Sequence, residues 1–255
     1  MTQMKPWKWI VLALLTYVFF LIAYLPASHV ITYAQNQAPT APISIGKVEG
    51  SLWEGKVDRV VVQGVLVNKL SWSLSPFALL TGKASLDIKG GNIRETEQAY
   101  VKGNISASLF NQQAIQANNL QLFLPAKTVM AQVPLPVPVS ADGRFRIDIN
   151  ELDFNAACVT LDGKGRWLNG TVTAPTGLID FGNYEANLSC ESEKFALQIL
   201  PDNKLNLDAK VVLSVDGKYS INGKFKPDAS FPKEVQQGAA FFGRADAQGF
   251  RTISL

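Results

Sequence analysis

From residue 46 onward, apolar residues recur along this chain with a period of two. The alternation is clearest in Lys69–Leu74, Ser85–Lys89, Arg144–Ile149, Leu205–Val211 and Lys218–Ile221. Strands with this pattern bury one face and leave the other polar, as strands of antiparallel sheets do. Beyond the N-terminus no segment of eleven or more residues has convincing helical periodicity, and Pro232–Phe242 comes nearest to a short helix. The pattern therefore predicts an all-β fold over residues 46–255.

Turn signals divide this region. Hairpin turns are expected at Asp142-Gly143, Asp162-Gly163, Asn169-Gly170 and Asp216-Gly217, because Asx-Gly pairs supply the positive φ values of tight turns. A proline cluster between residues 125 and 138 cannot form a central strand, since proline lacks a ladder donor. It separates two halves, about 46–124 and 140–255. These are either two small sandwiches or, as we expect, one long curved antiparallel sheet, because neither half has its own closing signal.

The N-terminus predicts a membrane anchor. Residues 9–25 carry no charge, and as a helix they would measure about 26 Å, close to the hydrocarbon thickness of a bilayer. Lys5 and Lys8 precede this span, and no Lys or Arg follows it until Lys47. The positive-inside rule then predicts a cytoplasmic stub and single transmembrane helix over residues 1–25, with the remainder outside the cytoplasm. The alternative is a cleaved signal peptide, although the apolar run is long and lacks an Ala-x-Ala site. Three prolines favour a tether over residues 26–45.

Composition argues against several functions. The net charge of +3 is too small to indicate a nucleic-acid-binding protein. The only histidine, His29, falls in the tether, so we expect no metal site, no cofactor and no enzymatic activity. Gly163-Lys164-Gly165 begins like a dinucleotide-binding fingerprint, but Leu168 occupies the position of the third glycine and no helix is expected to follow.

Three motifs together resemble the type II secretion system protein N family of Gram-negative bacteria. They are Val48-Glu-Gly-Ser-Leu-Trp-Glu-Gly55, Leu70-Ser-Trp-Ser-Leu-Ser-Pro-Phe-Ala-Leu-Leu-Thr-Gly82 and Phe241-Phe-Gly-Arg-Ala-Asp-Ala-Gln-Gly-Phe250. Their order, the N-terminal anchor, the two cysteines and the length all fit that family. The first two motifs are also similar to those of AsmA-like envelope proteins.

The motif residues make sense as architecture. Gly50, Gly55 and Gly82 permit turns or bulges. Trp53 and Trp72 would bring large apolar areas to the inner face of the sheet. Pro76 can end a strand and let Phe77, Leu79 and Leu80 fold over its end as a plug.

The resemblance implies an accessory inner-membrane subunit of the type II secretion system. Its periplasmic β-domain would contact other subunits, in the inner-membrane platform or on the path to the outer-membrane channel. The alternative is an AsmA-like protein that carries lipid acyl chains in an apolar groove of the sheet. The two interpretations differ in whether the apolar face is packed shut by its own side chains or left open.

Cys158 and Cys190 are the only cysteines, and both fall in the exported part of the chain. An oxidising periplasm allows disulfides to form, and two cysteines allow one intramolecular pairing. We therefore predict a disulfide, with up to three turns within the 32-residue separation of the cysteines. Two buried free thiols are the alternative. A metal site is disfavoured because no histidine lies nearby.

Overall fold

The computed structural model of the protein describes residues 6–37, 42–111, 113–131, 140–174 and 177–254. These residues form five helices: α1 (Pro6–Ala23), α2 (Ala27–Gln37), α3 (Pro76–Leu80), α4 (Ala126–Met130) and α5 (Lys233–Ala240). They also form fourteen strands: β1 (Ile43–Ile45), β2 (Val48–Gly50), β3 (Glu54–Val62), β4 (Val65–Leu74), β5 (Lys83–Gly90), β6 (Tyr100–Ser108), β7 (Ala114–Pro125), β8 (Ser140–Asn155), β9 (Cys158–Ala174), β10 (Gly177–Glu191), β11 (Lys194–Ile199), β12 (Asp208–Leu213), β13 (Tyr219–Phe225) and β14 (Arg251–Ser254).

All of these strands belong to one antiparallel sheet. From β3 to β14 each strand pairs with the next in sequence, while β1 and β2 both pair with β3. From β3 onward the order is that of a meander, in which every connection joins neighbouring strands. The predicted single long antiparallel sheet is confirmed.

The proline cluster does not interrupt the sheet. Strand β7 pairs with β8 from Ala114 opposite Asn155 to Pro125 opposite Arg144, so the two expected halves are hydrogen-bonded to each other. The first residues of the cluster form the end of β7 and helix α4. The prolines at 134, 136 and 138 lie outside the described residues.

Three of the four predicted Asx-Gly turns are wrong. Asp142-Gly143 lies within β8, and Asp162-Gly163 and Asn169-Gly170 lie within β9. Gly143 has φ 102° where the β8–β9 register shifts, and a Cβ there would approach the Leu168 carbonyl oxygen to 2.5 Å. This glycine therefore permits a bulge and a close approach of backbones, which a sequence does not distinguish from a turn. Only Asp216-Gly217 lies in a turn, between β12 and β13.

The N-terminal segment forms two helices joined to the first strands. In the part of the chain that the structure describes, no helix is both long and apolar enough to cross a membrane, so the expected transmembrane helix over residues 9–25 is not found. The end of α1 contacts the sheet: the indole Nε1 of Trp53 donates to the Ile22 carbonyl oxygen at 3.0 Å, and the Leu52 amide donates to that of Leu25 at 2.9 Å. The expected tether contains α2 and β1. Lys5 lies outside the described residues.

The core of the sheet is thin. The buried apolar residues are mainly small, such as Ala117, Ala186, Ala196 and Ala209. Among the described residues, no large side chain is less than 2% exposed. A sheet packed against a second layer buries its large residues, so their partial exposure shows that no second layer of described residues covers this apolar face.

Candidate functional site

The apolar face of strands β7 to β11 is built from rows of residues that lie opposite one another across the sheet. One row runs Leu122, Ile147, Gly165, Ala186 and Ile199. Directly opposed residues of antiparallel strands point to the same face, so the alternation in each strand places all these positions on one surface. The next row along the strands contains Ile149, Gly163, Leu188 and Leu197.

These rows form an open apolar groove with a volume of about 790 Å³. Its lining is dominated by half-buried aliphatic and aromatic side chains. Those from the strands include Leu122, Phe145, Ile147, Ile149, Leu152, Leu161, Trp167, Tyr184, Leu188, Phe195, Leu197 and Ile199. Phe181, also on β10, and Leu205 and Leu207, from the segment before β12, line it too. A cavity of this size and character is typical of sites for apolar small molecules.

The floor of the groove has room because two of its central residues are small. Gly165 and Ala186 face each other on β9 and β10. A Cβ added at Gly165 would have Leu188 Cδ2 at 3.9 Å as its nearest neighbour, and the glycine does not adopt a positive φ. Glycine is therefore required at position 165 neither by the backbone conformation nor by crowding around a Cβ atom. Its effect is to leave the centre of the groove empty.

Aromatic rings form a wall of the groove. The ring centroid of Trp167 lies 6.0 Å from that of Phe145, 5.6 Å from that of Tyr184 and 6.2 Å from that of Phe181. The indole Nε1 of Trp167 donates to the Asp142 carbonyl oxygen at 3.0 Å, which fixes the ring. Burial raises the pKa of Tyr184, so its phenol stays neutral and adds no charge to the site.

The opposite face of the same strands carries a ladder of charges. Arg146 Nε contacts Asp148 Oδ2 at 2.7 Å, Arg166 Nε contacts Glu185 Oε2 at 3.3 Å, and Lys164 Nζ contacts Glu185 Oε1 at 3.2 Å. Burial raises the pKa of Asp148, but hydrogen bonds from Arg146 and Gln121 outweigh it and hold that pKa below its usual value. The sheet is therefore polar on one face and open and apolar on the other.

Chemically, the groove can bind an apolar chain. Its strand-borne walls offer mainly van der Waals contact and the displacement of water from apolar surface. No three His, Cys, Asp or Glu residues lie close enough to hold a metal ion within the described ranges. His29 is exposed on α2.

The motif residues lie outside this groove, in the first strands. Trp72 on β4 lies over Gly55 on β3, and its Nε1 donates to the Leu52 carbonyl oxygen at 3.1 Å. Gly50 has φ 96°, and a Cβ there would approach the Glu54 carbonyl oxygen to 2.5 Å. Trp53 contacts the end of α1. These contacts join the first strands to the N-terminal helices.

The plug expected after Pro76 is wrong for Phe77 and Leu80, whereas Leu79 is half-buried. Pro76 is the first residue of α3, capped by Ser75, whose Oγ accepts from the Ala78 amide. The side chains of Phe77 and Leu80 are exposed to solvent. Gly82 follows the helix with φ 77°.

Cys158 and Cys190 form a disulfide, with their Cα atoms 5.6 Å apart. The bond joins β9 to β10 near one end of the groove. The residues between the cysteines form a single hairpin, so the expectation of up to three turns in this loop is wrong.

Sequence reasoning raised an apolar groove of the sheet only as the AsmA-like alternative and assigned no residues to it, although signals for those residues were present. The alternation of β8 marked Phe145, Ile147 and Ile149 as residues of one face. In the sequence, Gly165 resembles only part of a dinucleotide-binding fingerprint. An unexplained glycine in the middle of a strand is also a sign of close approach by another group, and this was the available signal.

The sequence of this chain is similar to those of known proteins. The family model of type II secretion system protein N matches residues 41–254. The type II secretion system protein N of Vibrio cholerae is 28% identical over 79% of this chain and 79% of its own length. The Aeromonas hydrophila protein of the same name is 25% identical over 93% and 92%, and that of Klebsiella pneumoniae is 25% identical over 91% and 88%. No solved structure matches the chain.

The matched region contains every strand of the sheet, the disulfide and all three sequence motifs. This chain belongs to the type II secretion system protein N family.

Proposed function

We propose that this chain is an accessory inner-membrane subunit of the type II secretion system, and that its β-sheet works in the periplasm through contacts with other subunits. The observation that carries the proposal is the family match over every strand of the sheet. The relatives named type II secretion system protein N cover most of this chain, which supports a shared role.

Two features support the location. Apolar side chains of α1, such as Ile10, Leu14 and Leu15, are exposed, which favours attachment of this helix to the membrane. The disulfide between Cys158 and Cys190 favours an oxidising compartment for the sheet.

The role is tested by deleting the gene and restoring it in its host. We expect the deletion strain to retain type II substrates in the periplasm, and the full chain to restore their export. Crosslinking of intact envelopes should then join the chain to other secretion subunits. Normal export without the chain, together with no crosslinked subunit, would contradict the proposal.

The open groove favours a second candidate function, in which the sheet holds a lipid acyl chain. The large lining side chains are only half-buried, and an apolar ligand would remove their remaining surface from water. Complete burial of one such side chain contributes about 1.5–3 kcal/mol relative to full exposure, so partial burial leaves much of this gain to a ligand. A subunit can hold a lipid and contact other subunits at once, so the two candidates are compatible.

Neighbouring residues of β8 offer a matched test of the groove. Ile147 lines it, and Asp148 belongs to the charged face. Each is replaced in turn by the photoreactive p-benzoylphenylalanine, and cells are illuminated after labelling their lipids with radioactive phosphate. We expect labelled lipid on the chain only with the probe at 147. Labelling from neither position would contradict acyl-chain binding, and equal labelling from both would show that the contact is not specific to the groove.

A further inference from the structure

Three of the most exposed large side chains of the sheet region lie at one of its ends. Phe77 and Leu80 on α3 are 80% and 84% exposed, and Phe110, after β6, is 90% exposed. Isolated apolar residues are common on protein surfaces, but a group of large ones indicates a contact. We call these three side chains the apolar tips.

The apolar tips form one surface. The Leu109 amide donates to the Gly82 carbonyl oxygen at 2.9 Å, which joins the turn after β6 to the end of α3. The ring of Phe110 lies over Gly82, since a Cβ added there would come within 2.3 Å of its Cε2.

The two turns that carry the tips are uncharged, and the nearest charge in sequence is Lys83, which is exposed at the start of β5 and donates to Gln116 Oε1 at 3.0 Å. No Asp, Glu, Lys or Arg occurs in residues 70–82 or in residues 103–126. The opposite end of the same strands differs, because the connection between β5 and β6 contains Arg94, Glu95 and Glu97. Among the connections of β4, β5 and β6, the two at the end with the tips are therefore uncharged and the one at the opposite end is charged.

The tips lie at the end of the sheet where α1 is attached. Trp53, just before β3, donates to the carbonyl oxygen of Ile22 on α1. Glu54 at the start of β3 pairs with Ser73 near the end of β4, just before α3. From β3 to β6 there are three strand spacings of about 4.8 Å, so the tips lie within about 15 Å of the strand that holds α1.

We propose that the apolar tips insert into the surface of the inner membrane beside α1, so that this end of the sheet rests on the bilayer. The inference rests on the proposed attachment of α1 to that membrane. Aromatic and aliphatic side chains on uncharged turns bury apolar surface in the interfacial region, and the flexible side chain of Lys83 beside them can keep its ammonium group in water. A membrane contact at this end sets the direction of the strands relative to the bilayer and points the charged loops of the other end into the periplasm.

A spin label at position 110 tests the contact. Both native cysteines form the disulfide, so Phe110→Cys introduces the sole free thiol of the full chain. Ile93→Cys is the matched control, because Ile93 is an exposed apolar residue at the opposite end. Each labelled protein is reconstituted into vesicles of phosphatidylethanolamine and phosphatidylglycerol and recovered by flotation. Accessibility of the label to oxygen and to a water-soluble nickel chelate is then measured.

We expect the label at 110 to lose most of its contact with the nickel chelate and to gain contact with oxygen, while the label at 93 stays accessible to the chelate. Protein that floats with the vesicles but keeps both labels in water would overturn the contact of the tips and leave attachment by α1 intact. A label at 110 that is shielded only when other secretion subunits are added would also overturn the membrane contact of the tips and leave attachment by α1 intact. Protein that fails to float would overturn both.

Discussion

The indole ring of Trp72 lies directly over Gly55 on the neighbouring strand, where a Cβ would come within 2.2 Å of the ring atom Cζ2. The glycine makes room for the ring, and the ring in turn is fixed by its hydrogen bond to the Leu52 carbonyl oxygen. This contact explains why the glycine at position 55, in the first motif, accompanies the tryptophan at position 72, in the second.

Substitution of Gly55 by alanine should therefore be costly. We expect Gly55→Ala to lower the free energy of unfolding by about 1–3 kcal/mol, because the Trp72 ring must move out of its site. Urea denaturation measures this loss. Gly238→Ala in α5 is the control: no atom lies within 4 Å of the added Cβ, and alanine favours a helix, so stability should stay equal or rise slightly. Adding Trp72→Leu should relieve part of the Gly55→Ala penalty, and purely additive effects would contradict the steric explanation.

The disulfide predicts a second pattern. Cys158→Ser and Cys190→Ser should each lower stability by about 3–4 kcal/mol, because the 32-residue loop is no longer closed in the unfolded chain. The double variant should be no less stable than either single one. Alkylation of denatured, unreduced protein measures the bond itself, and two reactive thiols in protein from its native compartment would contradict it.

The charged face predicts a pH dependence. The pKa of Asp148 is lowered in the folded protein, so its contribution to stability is present above the ordinary value of 3.8 and is lost as the pH falls through the folded-state pKa. Asp148→Asn should therefore be less stable than the wild type at pH 7, and the difference should shrink at pH 3. Chemical denaturation at both pH values measures it. An equal difference at both would show that the charge of Asp148 does not contribute.

The proposed topology is checked with a reporter. Alkaline phosphatase fused after residue 255 folds only in an oxidising compartment, so the fusion should be active if the sheet is periplasmic. The same fusion in Cys158→Ser, which does not alter export signals, should keep this activity. An inactive fusion in a stable, full-length product would contradict the topology. A mature protein beginning near residue 28 or 35 would contradict a retained helix.

The fold was predictable because alternation is a local property. The pattern in Arg144–Ile149 shows which side chains share a face, and that is sufficient for an all-β antiparallel sheet. Strand length was harder: the glycines at 143 and 170 suggested turns, yet they allow β8 and β9 to bend while their pairing continues over 16 and 17 residues. Whether a glycine serves a bulge or a turn depends on the neighbouring strand, which sequence does not reveal.

The groove was less predictable for a related reason. Whether the apolar face stays open depends on what lies across from it, and no single segment contains that information. The same limit explains why the sequence wrongly predicted that Phe77 and Leu80 form a plug after Pro76. Its composition suggested burial, but Ser75 caps α3 in an orientation that exposes Phe77 and Leu80.

If the open groove holds an acyl chain, Gly165 offers the most direct test of that second candidate function. Gly165→Phe would fill the groove from its floor with no strained backbone angle, and Gly238→Phe adds the same side chain to α5, outside the groove. The measurement is mass spectrometry of the lipid that stays bound to each protein after purification in mild detergent. We predict bound lipid on the wild type and on Gly238→Phe, and loss of most of it on Gly165→Phe with thermal stability retained. Equal lipid on all three proteins, or none on the folded wild type, would contradict the account.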